Sequence, residues 1–380
     1  MWCQLDCNIF LFKREGEGRM VTNTGKLLEV QMLRFLAATM VLFGHVQHEI
    51  TTRPTVAGQG FVEFTPLFWA GGVDVFFVIS GFIMYHLSRS EFGGEHASRR
   101  FLLRRLARIA PTYWLFTTAM LVAISLFPSQ IIHDKIDPLH VASSYAFFPA
   151  ANPYGRYYPI LMLGWTINFE MMFYLVFTLA MYFRRSVGVV LIAGLLLILA
   201  GVGFVAKPSV GPFAFWCDPI VIEFLLGILL AHLRANGLRV TGKTSLVLFM
   251  AGIASMLLAH YLGYTYGFWS WRPLWMGLPA LLICSGPMLM QSTKAPSGLA
   301  RFLAHGGDAS YALYLSHPFA IGLVALAASR VPGLTGWNYF AVAFVVSMAA
   351  AFAVYHWIEL PLTRLAQSVA QRFQGRKATT

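Results

Sequence analysis

The chain has 380 residues, of which 57% are apolar or aromatic and only 12% are charged. A soluble domain ordinarily carries about 25% charged residues, so this composition excludes a water-soluble globular enzyme and points to a chain housed in a bilayer. The net charge of +12 does not indicate nucleic acid, because the basic residues fall in alternate loops, the pattern that sets membrane topology.

Residues 1–26 read as an N-terminal tail. Its apolar run is broken by Asp6 and Asn8 and no small-residue cleavage site follows, unlike a signal peptide. The run Glu15-Gly16-Glu17-Gly18 before Met20 is what a purine-rich ribosome-binding site encodes when translated, so the expected native start is Met20. Ten mostly apolar stretches then follow, over 28–48, 67–88, 106–127, 161–183, 187–206, 217–234, 244–262, 272–290, 310–329 and 337–359. Each has roughly the 20 residues that cross a hydrocarbon core ~30 Å thick. They predict an all-α, polytopic integral membrane protein with about ten transmembrane helices.

Lysines and arginines sort by loop. With a cytoplasmic N-terminus, 21 of the 28 lie on the inner side and 6 on the outer side, and Arg34 remains inside the first helix. This bias predicts an N-in, C-in chain. The longest external segment, 128–160, is rich in Tyr, Pro and His and reads as a lid or acceptor-binding loop. Residues 27–362 form one membrane domain and 363–380 a basic cytoplasmic tail. Cys3, Cys7, Cys217 and Cys284 form no CxxC pair and suggest neither a disulfide framework nor a zinc site.

A charged side chain at the bilayer centre costs at least ~2.5–3.5 kcal/mol, so embedded charges usually mark a pathway or a site. Arg34 and His45 lie eleven positions apart on the first helix. Eleven steps of about 100° return to within roughly 20° of the same face, about 16 Å along the axis. One face therefore carries a cation in its inner half and an imidazole near its outer end. Asp74 opens the second helix among Gly71, Gly72, Ser80 and Gly81, small residues that permit close helix approach. Glu170 lies inside the fourth helix with Tyr174 at i+4. Glu223 and His317 are weaker candidates, for which a structural role is as good an account, and Glu49, at i+4 from His45, either orients the imidazole or is simply solvated. The basic stretch Arg99 to Arg108 either anchors topology at anionic lipid or receives a polyanionic cytosolic donor, with Arg104, Arg105 and Arg108 suited to phosphate.

Two apparent motifs carry nothing. Gly237-Leu238-Arg239-Val240-Thr241-Gly242-Lys243-Thr244 fits the P-loop pattern but lacks the strand that must precede it. His45, His48 and Glu49 lack a third-ligand pattern, so no metal is expected.

These residues resemble the membrane acyltransferase-3 family. Arg34-x10-His45 is similar to its first-helix signature, and Gly72-Val73-Asp74-Val75-Phe76-Phe77-Val78-Ile79-Ser80-Gly81-Phe82 to its second-helix motif. Arg104 to Pro111 with Tyr113 resembles its third-helix entry, and Gly164-Trp165-Thr166-Ile167-Asn168-Phe169-Glu170 with Phe173-Tyr174 its Trp-to-Glu motif. Ser310-Tyr311-Ala312-Leu313-Tyr314-Leu315-Ser316-His317 and Trp357-Ile358-Glu359 resemble its last two helices. The form Asn168-Phe169-Glu170 is most similar to the branch that acetylates exopolysaccharides. The resemblance implies about ten helices, acyl-CoA (acetyl-CoA in the first instance) as co-substrate, and a carbohydrate or lipid-linked saccharide acceptor. It places the protein in the bacterial inner membrane, makes Arg34 and His45 critical, and leaves transfer to be completed within the membrane domain.

On that reading His45 is the general base, with an acyl-carrying nucleophile as the alternative. Asp74 or Glu170 holds its tautomer, Arg34 steadies donor or oxyanion, and Arg104, Arg105 and Arg108 hold CoA phosphates. The competing class is a transporter or exporter of polysaccharide or lipid-linked sugar, which places embedded charges similarly. No inverted repeat supports it.

Overall fold

The computed structural model describes residues 27–58, 61–127, 136–152, 155–209, 211–266, 271–291 and 295–375. The expected N-terminal tail and the start at Met20 lie outside these residues, as do Cys3, Cys7, part of the 128–160 segment and the end of the basic tail. Among the described residues the regular structure is all helical, apart from one isolated bridge between Val240 and Met290.

Each of the ten apolar stretches falls on a helix or on adjoining helical pieces. The helices are α1 (Leu28–Thr52), α2 (Pro66–Ala70), α3 (Gly72–Ser88), α4 (Ala97–Leu126), α5 (Pro138–Tyr145), α6 (Gly164–Ala180), α7 (Arg185–Val205) and α8 (Pro212–Trp216). They continue as α9 (Ile222–Ala235), α10 (Gly242–Tyr266), α11 (Leu278–Leu289), α12 (Gly298–Asp308), α13 (Ser310–Ala328), α14 (Gly336–Val354) and α15 (Leu360–Gly375). Among the described residues, six continuous helical stretches are long and apolar enough to cross a membrane, including Pro66–Ser88, Ala97–Leu126 and Gly336–Arg372. The protein is a multi-pass membrane protein.

Differences from the expected helices have local causes. The second stretch passes through a helical turn at Gly71, which joins α2 to α3, the sixth starts on a 3-10 turn at Pro219–Val221, and the eighth starts on a π turn at Pro273–Gly277. Proline at the first helical position accounts for two of these starts, since the N–H it lacks is one a helix end leaves unused. The tenth stretch passes through a π turn at Tyr355–Glu359 and runs on as α15. The basic stretch before residue 106 is not a loop but the first turns of α4, which begins at Ala97. The described part of the 128–160 segment packs onto α4: the hydroxyl of Tyr113 donates to Ser144 O at 3.2 Å and Trp114 Nε1 donates to Tyr145 O at 2.9 Å.

Burial separates a centre from a sleeve. The Pro66–Ser88 stretch has 72% of its apolar window buried by protein, against 22% for α7 and 17% for Gly242–Gly263 in α10. The sleeve leaves Val205 82%, Val247 66% and Leu246 61% exposed. So much contiguous apolar surface suits lipid, not water. α1 falls outside the six because Arg34, His45 and Gln47 interrupt its apolar sequence, yet it packs against α3, α12, α13 and α14. Protein buries its Gln47 and half-buries Arg34 and His45.

α3 and α9 pack with their backbones close together. A Cβ built on Gly227 falls 2.7 Å from Phe82 N and onto the carbonyl of Val78, and one on Gly81 falls onto the carbonyl of Phe224. Neither backbone can yield without parting the two helices. Gly227→Val is expected to cost about 1–3 kcal/mol through overpacking. Its unfolding midpoint in detergent checks this, and a midpoint equal to wild type would show that the interface has slack.

Candidate active site

α1 is one unbroken helix from Leu28 to Thr52, so Arg34 and His45 keep their shared face and their separation of about 16 Å. The structure surrounds the two ends differently.

Toward the C-terminal end of α1, His45 Nδ1 lies 2.7 Å from His317 Nε2 of α13, with the rings nearly parallel at 16°. His317 is buried, and its Nδ1 is 2.9 Å from the carbonyl oxygen of Leu313 one turn earlier. Pro318 follows it inside the helix. Proline has no N–H to return to the carbonyl of Tyr314, which loosens the ladder beside the imidazole. Trp69 backs this region, its Cβ 3.1 Å from where a side chain on Gly44 would begin.

This pairing corrects the expectation for Asp74 and Glu170. Asp74 does not touch His45. It is fully buried and accepts two hydrogen bonds from Arg272, from Nε at 2.9 Å and from Nη2 at 2.8 Å. The fork of a guanidinium matches a carboxylate in this way, and such bidentate pairs are the strong ones. Glu223 is buried beside Asp74, its carboxyl packed against Gly277. Glu170 accepts from Ser80 Oγ at 3.4 Å and from the hydroxyl of Tyr174. Glu49 pairs with Arg53, and His48 is exposed, so neither orients His45.

Toward the N-terminal end of α1, Arg34 donates to Gln31 Oε1 at 3.3 Å and lies within electrostatic reach of Arg108, Glu359, Asp308 and Glu170. Arg105 interacts with Tyr174, Arg108 and Glu170 from the neighbouring turn of α4. Arg105 lies over the Phe101 ring at 5.4 Å, and its buried Nε has no hydrogen-bond partner. Arg104 differs: it donates to both oxygens of Glu91 at 3.1 and 3.0 Å. Arg104 and Arg105 are consecutive and point about 100° apart, so Arg105 meets Tyr174 and Glu170 of α6 while Arg104 turns to Glu91. Glu359, buried at the π turn, accepts from the N–H of Ala312 in the first turn of α13. A carboxylate is favoured there by the helix dipole.

α13 joins the two ends. Tyr311, Tyr314 and His317 are spaced by three, each about 4.5 Å further along the axis. The hydroxyl of Tyr311 donates to Ile109 O at 3.0 Å, and that of Tyr314 donates to Leu163 O at 3.0 Å and lies 2.7 Å from Thr166 Oγ1. A buried polar seam therefore runs from the arginine cluster to the paired imidazoles. Asn168 of α6 is buried too, and neither its amide nitrogen nor its oxygen has a partner.

Arg272, Glu359, Asp308 and Tyr311 were not singled out as site residues from sequence. Arg272 is among the six cations that the loop count assigns to one side, and it opens its apolar stretch as Asp74 opens its own. Glu359 stood at the expected helix end, where a carboxylate draws no attention.

Residues 27–356 match the acyltransferase-3 family model, an acyltransferase domain. The chain belongs to this family. It is 33% identical over 319 residues to the "Exopolysaccharide production protein ExoZ" of Rhizobium meliloti (strain 1021), covering 81% of this chain and 95% of that one. It is 23% identical over 331 residues to the "Putative peptidoglycan O-acetyltransferase YrhL" of Bacillus subtilis (strain 168), covering 77% of this chain and 51% of that one. No solved structure matches the chain. The family makes the protein a membrane acyltransferase, and the matched region contains Arg34, His45, Asp74, Glu170 and His317.

Proposed function

We propose that the protein moves an acyl group, acetyl in the first instance, from acyl-CoA to a sugar hydroxyl of an exopolysaccharide or its lipid-linked precursor at the bacterial inner membrane. The observation that carries this reading is the single helix α1, which sets Arg34, beside the half-buried arginines of α4, about 16 Å from the half-buried imidazole of His45. An elongated donor with a polyanionic head and a reactive thioester tail spans such a distance. The names of the two relatives support a carbohydrate acceptor and an acetyl group.

Arg105 and Arg108 receive phosphate oxygens at the inner mouth, where the unpartnered Nε of Arg105 is a donor in need of an acceptor. Arg34 sits on their level along α1 and steadies the donor there; its distance from His45 leaves the oxyanion to other groups. His45 takes the proton of the acceptor hydroxyl while that oxygen attacks the thioester carbon. The carbon–sulfur bond breaks, its electron pair leaves on sulfur, and the thiolate takes the proton back from His45.

Calorimetry with acetyl-CoA and the protein in nanodiscs tests this reading. Arg105→Ala is expected to weaken binding about 10- to 100-fold, the worth of a charge-assisted hydrogen bond. Arg104→Ala, which breaks a half-exposed pair with Glu91, is expected to change it by less than about 3-fold. If wild type neither binds nor consumes acetyl-CoA or longer acyl-CoAs, the acyl-CoA reading fails and export of a saccharide becomes the better account.

A further inference from the structure

The pairing of His45 with His317 settles more than proximity. A carbonyl oxygen only accepts, so the 2.9 Å contact to Leu313 O requires a proton on Nδ1 of His317. In a neutral imidazole the other nitrogen is then a bare acceptor. His317 Nε2 must therefore accept across the 2.7 Å contact, and the proton in that bond belongs to Nδ1 of His45. A neutral His45 with its proton on Nδ1 keeps its lone pair on Nε2. For two neutral rings this is the one assignment that satisfies both hydrogen bonds. A proton on Nε2 of His317 would force His45 to accept on Nδ1 and carry its own proton on Nε2, with no base left.

We infer that His317 is a positioning residue that fixes the tautomer and ring plane of His45 and leaves Nε2 of His45 as the basic atom. The inference rests on the reading of His45 as general base. Its anchor is local to α13: Leu313 holds the far nitrogen of His317, and Pro318 keeps the helix from closing over it. When His45 takes the hydroxyl proton on Nε2, its Nδ1–H becomes a stronger donor to a bond already formed. The positive charge then spreads into a second imidazole, with no carboxylate in the pair. Asp74 and Glu170, the acids nearest in sequence pattern, are engaged by Arg272 and by Ser80 with Tyr174. Tyr314 flanks His317 with ring centroids 6.2 Å apart and has its own partners.

The test combines a spectroscopic readout with kinetics in nanodiscs. With 15N-labelled histidine, the His45 resonances are those lost in His45→Gln. Wild type is expected to show His45 protonated on Nδ1, and His317→Leu is expected to lose that state. His317→Leu is expected to lower kcat about 100-fold, within the range for general-base catalysis, with KM for acetyl-CoA changed less than about 3-fold because the arginine cluster is about 16 Å away. In His317→Gln the amide nitrogen donates to Leu313 O and the amide oxygen accepts from His45. This variant is expected to keep the Nδ1 proton on His45 and to recover kcat to within about 10-fold of wild type. A His45 protonated on Nε2 in wild type, or full kcat in His317→Leu, overturns the inference. If His317→Leu does not fold, His317→Gln decides alone, and loss of the Nδ1 signal with kcat unchanged overturns it. If the spectra come out as expected but His45→Gln retains full transfer, the hydrogen bond stands, while the base assignment and the positioning role both fall.

Discussion

Arg272→Leu is expected to destabilise the protein by about 2–4 kcal/mol, the range for breaking a buried ion pair from one side, reduced for partial exposure. The residue left behind decides the size. Asp74 is fully buried, whereas 29% of the Arg272 side chain is exposed. Without the guanidinium, a carboxylate remains out of water beside the second acid, Glu223. Asp74→Leu leaves an arginine that can swing its charge toward water, so it is expected to cost less. The double variant Asp74→Leu with Arg272→Leu removes both charges and is expected to lie closer to wild type than Arg272→Leu does. Well-packed apolar replacements of such pairs are often neutral or better. Unfolding midpoints of the four proteins in one detergent close the cycle. Equal costs for both single changes, adding in the double, would mean that the pair is not coupled.

His45→Gln is expected to lower kcat for acyl transfer by about 10²–10⁴-fold, the usual worth of a positioned general base. Glutamine fills similar space and its amide donates to Nε2 of His317, so the unfolding midpoint is expected to stay near wild type. The arginine cluster lies about 16 Å away along α1, so KM for acyl-CoA should change little. This combination separates lost chemistry from lost structure. Turnover of radiolabelled acetyl-CoA with a saccharide acceptor measures it. Full transfer by a correctly inserted His45→Gln would move proton removal to another group.

The apolar helices and the multi-pass membrane class were legible because a bilayer demands about twenty apolar residues, whatever packs around them. Arg34 and His45 were legible for the complementary reason, since polar atoms inside such a run need an explanation. Their common face followed from the helical repeat and holds in the unbroken α1. Pairing between helices was not legible. His45 and His317 are 272 positions apart, and no period relates them. Asp74 looked like the partner because of its depth, and depth also suited Arg272, which had been set aside as a topology charge. Which acid meets which base is decided by rotation of one helix against another, and close approaches such as Gly81 on Phe224 set that rotation. The amphipathic α12 and α15 escaped because their short or polar sequences carry no spanning signal.

The contrast between a wrapped centre and a lipid-facing sleeve bears on how freely the sequence can drift. On the outward faces of α7 and α10, residues such as Val205, Leu246 and Val247 meet a fluid solvent that accepts any apolar shape. Exchanges among Leu, Ile, Val and Phe there should pass unnoticed by the fold. At Gly227 a single added carbon already meets backbone. Tolerance to change therefore falls inward, and a library of random substitutions should draw the sleeve as a silent band around a few intolerant helix faces.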